Sequence, residues 1–341
     1  MIRISLFHPS GDFEELSEAV NLAESLGFHG CFFGEHHGNA ANDRPQLLVL
    51  LAALAARTRR IRLGTSILLS PLYNPVQLAE TASMVDVISK GRLVLGLGLG
   101  YQPQDFRQFG VPFNQRVSRF EEGIAVLRLA WTQERFSFAG RRYQFDDVAV
   151  YPRPVQSPHP PIWLAAWSLE GARRAGRLGD AFVTDPIQNL AATKTFVHAY
   201  REAAAAAGRP AEVVLMRELL IGETRQEALD RYSAGLLAQY RYYWQNGAFN
   251  PDYETWMAQV NDARDLTWEL LAKDRVIWGS PEDCVEQLRH WCTELGCSHV
   301  QVTVPHPRAA QSGGTTKTGW TRAGQLAAIQ LIGERLLPAL R

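Results

Sequence analysis

The stretch Phe28-His29-Gly30-Cys31-Phe32-Phe33-Gly34-Glu35-His36-His37-Gly38 decides how the chain is read. Its first half is a short apolar run, and its second half breaks that run with a carboxylate and two imidazoles. Ending a buried strand in such groups is poor for stability, whereas imidazole is the side chain best suited to exchange a proton near neutral pH. Adjacent strand residues point to opposite sides, so at most one of His36 and His37 faces a central pocket.

Working outward from this stretch, short β-type runs alternate with longer helical ones. Ile2–Phe7 reads as a strand, and Phe13–Leu26 as a helix closed by Gly27. Phe28–Phe33 is followed by a helix over Pro45–Ala56, Ile61–Leu69 by one over Pro75–Ile88, and Arg92–Leu97 by one from about Val117 to Trp131. A polar hairpin, Phe136–Gly140 with Tyr143–Phe145, interrupts the rhythm. It resumes with strands at Pro161–Ala166, Ala181–Thr184 and Val213–Ile221, and helices at Leu169–Arg177 and Leu190–Ala207. A helix over Pro281–Leu295, a strand over Val300–Val304 and a helix over Thr321–Leu337 complete the series. Strands separated by helices imply right-handed βαβ crossovers and a parallel sheet. Eight candidate strands fit a closed (β/α)8, or TIM, barrel better than an open doubly wound sheet.

No linker or repeat divides residues 1–341, so one barrel domain is expected, with two excursions. An aromatic insertion covers about 240–280, and its Tyr240–Val260 part shows little helical order. It reads as a lid or as a solvated excursion along the barrel flank. A Gly/Thr-rich loop over 306–319 follows the last strand. Both fall on the face where barrels of this kind build their sites.

Composition excludes several classes. Thirty-five basic residues balance thirty-five acidic ones with no basic stripe, which argues against nucleic acid or an anionic membrane as partner. No apolar run reaches the ~20 residues that span a bilayer. Residues 1–8 pass straight into a strand pattern without a leader, and four cysteines lie outside CxxC spacing; a cytoplasmic protein with reduced thiols is expected.

Four strand ends carry unusual residues: Glu35-His36-His37, Gly64-Thr65-Ser66, Gly98-Leu99-Gly100-Tyr101, and Trp167-Ser168. Together at the carboxyl ends of successive strands they suggest a lined pocket. Gly98-Leu99-Gly100 is no dinucleotide fingerprint, because Pro103 stands where a third glycine is needed. Ser168 can cap a helix whose free amides would suit a phosphate, or it can simply cap. Neighbouring histidines on a strand diverge and no HExxH accompanies them, so no metal is expected. No GxSxG elbow supports a serine hydrolase.

These segments resemble the luciferase-like family of flavin-dependent oxidoreductases. The resemblance is closest from Gly64 through Gly179 and looser from Ile2 to Leu337. Its most specific run is Gly64-Thr-Ser-Ile-Leu-Leu-Ser-Pro-Leu-Tyr-Asn-Pro-Val-Gln-Leu-Ala-Glu80, continued by Asp86, Gly91-Arg92, Phe109-Gly110-Val111-Pro112, Arg119-Phe120-Glu121-Glu122-Gly123 and Pro160-Pro161-Ile162-Trp163. The resemblance implies a TIM barrel and His36 as the catalytic acid/base. It implies a non-prolyl cis peptide at Thr65-Ser66 beneath the flavin ring, with Gly98 and Tyr101 lining the cofactor pocket. Trp167-Ser168-Leu169 resembles the phosphate-binding turn. Leu99 departs from the Arg that many members place there to meet the cofactor phosphate. The family pattern is then compatible with a two-component monooxygenase that borrows reduced FMN from a separate flavin reductase and uses O2 on a small organic substrate. A deazaflavin coenzyme with hydride transfer, and a non-catalytic flavin-binding barrel, are the alternatives. A homodimer through helices near the second and third strands, including Pro45–Ala56, is also implied.

Overall fold

The computed structural model describes residues 1–38, 45–245, 247–304 and 321–341. The expected 306–319 loop lies outside the described residues.

Eleven strands appear among the described residues: β1 Arg3–Phe7, β2 Gly30–Phe33, β3 Arg62–Thr65, β4 Leu93–Leu97, β5 Phe136–Ala139, β6 Gln144–Val148, β7 Ile162–Ala165, β8 Ala181–Val183, β9 Glu212–Ile221, β10 Ile277–Gly279 and β11 His299–Thr303. Eight of them run parallel in the order β1-β2-β3-β4-β7-β8-β9-β11, and β11 returns to β1 through Arg3↔His299 to Phe7↔Thr303. The β8–β9 pairing, Ala181↔Glu212 to Val183↔Val214, leaves no gap between the halves, so the sheet closes as a TIM barrel. All eight expected barrel strands are present. β5 and β6 form the expected antiparallel hairpin outside the barrel.

Period-two alternation sorts the strand residues into two cores. Phe32, Val94, Trp163, Ala181, Val183, Val214 and Met216 fill the lumen, with Phe32 and Trp163 stacked at 5.0 Å. Their neighbours Cys31, Phe33, Leu93, Leu95 and Leu164 face outward against the surrounding helices.

Local signals explain the helix ends. In α1 (Phe13–Leu26), Asp12 and Glu15 form a reciprocal capping box, and Gly27 closes the helix at φ 90°, a conformation that favours glycine. In α10 (Pro281–Leu295) Ser280 and Asp283 do the same, with Gly296 at the far end. Carboxylates hold the excursions to the barrel. Asp86, buried on α3 (Pro75–Ser89), accepts the amides of Val155 and Gln156, and Glu122 on α5 (Arg116–Thr132) accepts those of Arg141, Arg142 and Tyr143. Two residues of the resembling pattern thus have structural work in this chain.

The aromatic insertion differs from expectation at its start. Past Gln245 the described residues form turns and a short 3-10 helix at Thr255–Gln259, but Tyr240 belongs to a long helix, α8 (Arg225–Gln245). Its buried positions Ala228, Tyr232, Leu236 and Tyr240 recur at every fourth residue, a spacing readable in the sequence. Intervening aromatic and charged residues mask that spacing. β10 was also unexpected: three residues pair with the distal part of β9, beyond the reach of β11. So short a strand carries no period of its own.

Candidate active site

The strand ends gather at the carboxyl face of the barrel. Glu35, just past β2, is buried and directed at the β3 connection: its Oε2 accepts the Leu69 amide at 2.5 Å, its Oε1 accepts the Tyr73 hydroxyl, and its own amide donates to Ile67 O at 3.0 Å. His37 is buried beside it, with Nε2 3.3 Å from Glu35 Oε1 and its ring edge-on to Phe109 at 4.5 Å. His36 is half-buried. Burial holds its imidazole below the usual range, against the opposing pull of the Asp105 and Glu35 carboxylates. Asp105, buried on α4 (Pro103–Gln108), is pushed up by burial, offset by the two imidazoles. The loop that follows β2 separates the histidine pair, His37 packed into the rim and His36 partly open.

The non-prolyl cis peptide lies at Ser66–Ile67, one bond later than the resemblance implied at Thr65-Ser66. Thr65 is fully buried, and its hydroxyl donates to Gly96 O at 2.6 Å, away from the lumen. Ser66 takes the lumen side and donates to Gln301 Oε1 at 2.8 Å. A Cβ on Gly98 would overlap the Ile67 side chain, so this glycine makes room for the β3 connection. Leu99 packs partly into the outer core.

Tyr101 and Trp167 meet edge-to-face at 4.8 Å, and both are half-exposed. Ser168 caps α6 (Leu169–Leu178) by accepting the Gly171 amide at 3.2 Å. Leu169 begins that helix and is partly exposed, so the first-turn amides stand beside the Tyr101–Trp167 pair. The structure thus brings Tyr101, Trp167, Ser168 and Leu169 into one cluster, and Ser66 beside Gln301 on the lumen side.

Several polar residues of the mouth escaped the sequence reading. Glu218 sits on the lumen side of β9, and the Tyr240 hydroxyl donates to its Oε2 at 2.9 Å; burial pushes its carboxyl up to about 7. Asp185 follows β8 and is pushed by burial up to about 6. Gln301 is fully buried on β11, and its Nε2 has no partner among the described residues. A signal existed for two of them: Glu218 interrupts the apolar run Val213–Ile221, and Gln301 stands between Val300 and Val302. Among the described residues, no group of three or more His, Cys, Asp or Glu side chains is placed to hold a metal ion. No described helix is long and apolar enough to cross a membrane.

With this geometry in place, comparison with known proteins defines the class. A family model described as luciferase-like monooxygenase matches residues 3–299, and the chain belongs to that family of oxidoreductases. Its relatives divide by cofactor. An F420-dependent glucose-6-phosphate dehydrogenase of Intrasporangium calvum is 28% identical over 310 residues, covering 85% of this chain and 89% of that protein. The oxygenase component of a flavin-dependent trigonelline monooxygenase of Acinetobacter baylyi is 32% identical over 156 residues, covering 45% of this chain and 43% of that protein. The crystal structure of the monooxygenase RslO1 from Streptomyces bottropensis superposes with a TM-score of 0.79 at 26% identity, covering all of both chains.

Proposed function

We infer that the protein is a two-component, FMN-dependent monooxygenase, receiving reduced FMN from a separate reductase and acting with O2 on a small organic substrate. The observation that carries this reading is His36: an imidazole whose pKa burial lowers, at the rim of a lumen filled by Phe32, Trp163 and Met216. The family membership and the whole-chain likeness to RslO1 support it.

The residues fit a flavin. Gln301 supplies a buried amide donor without an acceptor, suited to a ring carbonyl, and Ser66 holds that amide through its other end. The first turn of α6, capped by Ser168, offers amides to a phosphate. When bound, reduced flavin supplies the electrons that activate O2. The protein's share is to bind and orient, to exclude water through the apolar lumen, and to move a proton at the ring nitrogen of His36. Asp105 positions His36 electrostatically, and Glu35 and His37 hold the rim that carries it.

A deazaflavin-dependent hydride transfer is the second reading, with which Leu99 is equally compatible and which relatives named as F420-dependent favour. Equilibrium binding of reduced FMN and reduced F420 to the purified chain separates the two. Tighter retention of FMN is expected, and retention of F420 with none of FMN would sink the monooxygenase. Should turnover survive His36→Ala unchanged, the catalytic assignment falls and a non-catalytic flavin-binding role regains weight. The reading extends to a cytoplasmic homodimer. α2 (Leu47–Arg57) and α3 expose Val49, Met84, Val87 and Ile88, the apolar surface such a dimer would cover.

A further inference from the structure

One side of the barrel mouth is made of hydrogen-bond acceptors and aromatic rings, and its Asp185, Glu218 and Gln188 lie outside the residues assigned to the flavin. Asp185 and Glu218 stand at the tops of adjacent strands. The lumen parity of Ala181 and Val183 continues to Asp185, and that of Val214 and Met216 continues to Glu218. Both carboxylates are desolvated, which raises each toward neutrality, yet neither forms an ion pair with a described residue. Asp185 Oδ1 accepts the Ile187 amide at 2.5 Å, while its Oδ2 is buried without a partner. A second acceptor, from another residue, is in the same state. Gln188 is 4% exposed and its Oε1 has no partner, although its Nε2 reaches Ala248 O at 3.4 Å, just beyond α8.

The charges of Arg217 and Arg275 reach Asp185, and that of Arg217 reaches Glu218, but neither guanidinium donates a hydrogen bond to these carboxylates. Arg217 points outward from β9, with donors on Asp185 O, Met216 O and the Thr193 hydroxyl and its guanidinium over the Trp291 ring at 4.0 Å. Arg275 is ion-paired with Glu254 and donates to Ile187 O and Leu271 O. Tyrosine rings complete the wall. Tyr240 bonds Glu218, and the charges of Glu218 and Asp185 reach Tyr243, that of Asp185 also Tyr101. Buried acceptors without donors are costly, by about 1–3 kcal/mol each, and an aromatic wall attracts a cation.

We propose that this wall is the substrate subsite of the enzyme and that it selects a positively charged organic group, a protonated or quaternary nitrogen, seated between Asp185, Glu218, Gln188 and the rings of Tyr101 and Tyr243. The proposal rests on the oxidoreductase reading of the mouth and names the substrate class it would take. A phosphorylated or carboxylate substrate would meet like charge and unmatched acceptors there.

Three aromatic probes of different charge test it: benzyltrimethylammonium, benzyl alcohol and benzoate, each titrated calorimetrically into the full chain. Benzyltrimethylammonium is expected to bind at least about tenfold more tightly than benzoate, a difference of about 1.4 kcal/mol. The double variant Asp185→Asn, Glu218→Gln should erase that preference while leaving benzyl alcohol unchanged. Benzoate binding as well as the cation, no binding of the cation at millimolar concentration, or a preference unaltered in the double variant each overturns the proposal. If that variant does not fold, the charge series on the unaltered chain decides alone. A separate fluorescence titration with FMN keeps the outcomes apart: loss of FMN binding with the cation preference intact removes the flavin reading and leaves the subsite standing.

Discussion

His37 Nε2 lies 3.3 Å from Glu35 Oε1, both side chains buried, while His36 between them turns to the half-open side of the rim. One imidazole is thereby built into the structure and its neighbour is left to meet a ligand. The two should respond to mutation in opposite ways.

His36→Ala is expected to leave thermal unfolding within about 0.5 kcal/mol of the parent, as for other partly exposed positions. Turnover should fall by about 10²–10⁴-fold, the range for loss of a general acid or base. His37→Ala should do the reverse, costing about 1–3 kcal/mol of stability through the lost contact with Phe109 and Glu35. Parallel denaturation and steady-state measurements on both variants check the split.

Glu35 accepts the Leu69 amide and the Tyr73 hydroxyl from within the rim. Tyr73→Phe removes one bond and should cost about 1 kcal/mol, whereas Glu35→Ala strands two buried donors and should cost about 2–4 kcal/mol. If the two variants unfold at equal denaturant concentration, Glu35 does not anchor the β3 connection.

The pH dependence of turnover follows from the direction of the His36 shift. Burial lowers its pKa from 6.5, so the unprotonated imidazole persists below that value. Where the base form is needed, the acidic limb of the rate profile should lie below pH 6.5. Asp105→Asn removes a carboxylate that favours the imidazolium, and should move the limb further toward acid. A limb above 6.5 in the parent would contradict this.

Stability at acid pH depends on the other end of the barrel. Burial, with Arg3 and Arg62 nearby, lowers His29 to about 4, and burial holds His299 well below its usual range. The folded state thus refuses protons that the unfolded chain accepts below about 6.5, so this contribution is complete above that pH and is lost as pH falls toward 4. Asp185 and Glu218 act oppositely, since their raised values let the folded state take protons first. Comparing His29→Gln with the parent isolates the histidine: the gap in melting temperature should narrow, or reverse in favour of the variant, between pH 7 and 5.

The apolar face of α2 and α3 gives a test of assembly. Met84→Asp and Val87→Asp introduce charge at exposed positions, so the monomer should fold normally. Light scattering is expected to show a dimer for the parent and a monomer for the double variant. A parent that is already monomeric ends the dimer reading.

Much of this protein was legible in the sequence. Short β-type runs between helical ones marked all eight barrel strands, and Gly27 marked the end of α1, because those signals act over a few neighbouring residues. The same locality made Glu35-His36-His37 stand out, and it allowed only one histidine on the pocket side. What tertiary structure decided is everything that depends on which strand lies beside which. Strand order set Ser66 against Gln301, 235 positions away, and put Glu218 under the Tyr240 hydroxyl. It also turned Thr65 toward Gly96 and left Asp185 Oδ2 buried without a hydrogen-bond partner among the described residues. Burial, and with it the charge state of each carboxylate and imidazole, is a property of the closed barrel: water is excluded only once distant segments meet.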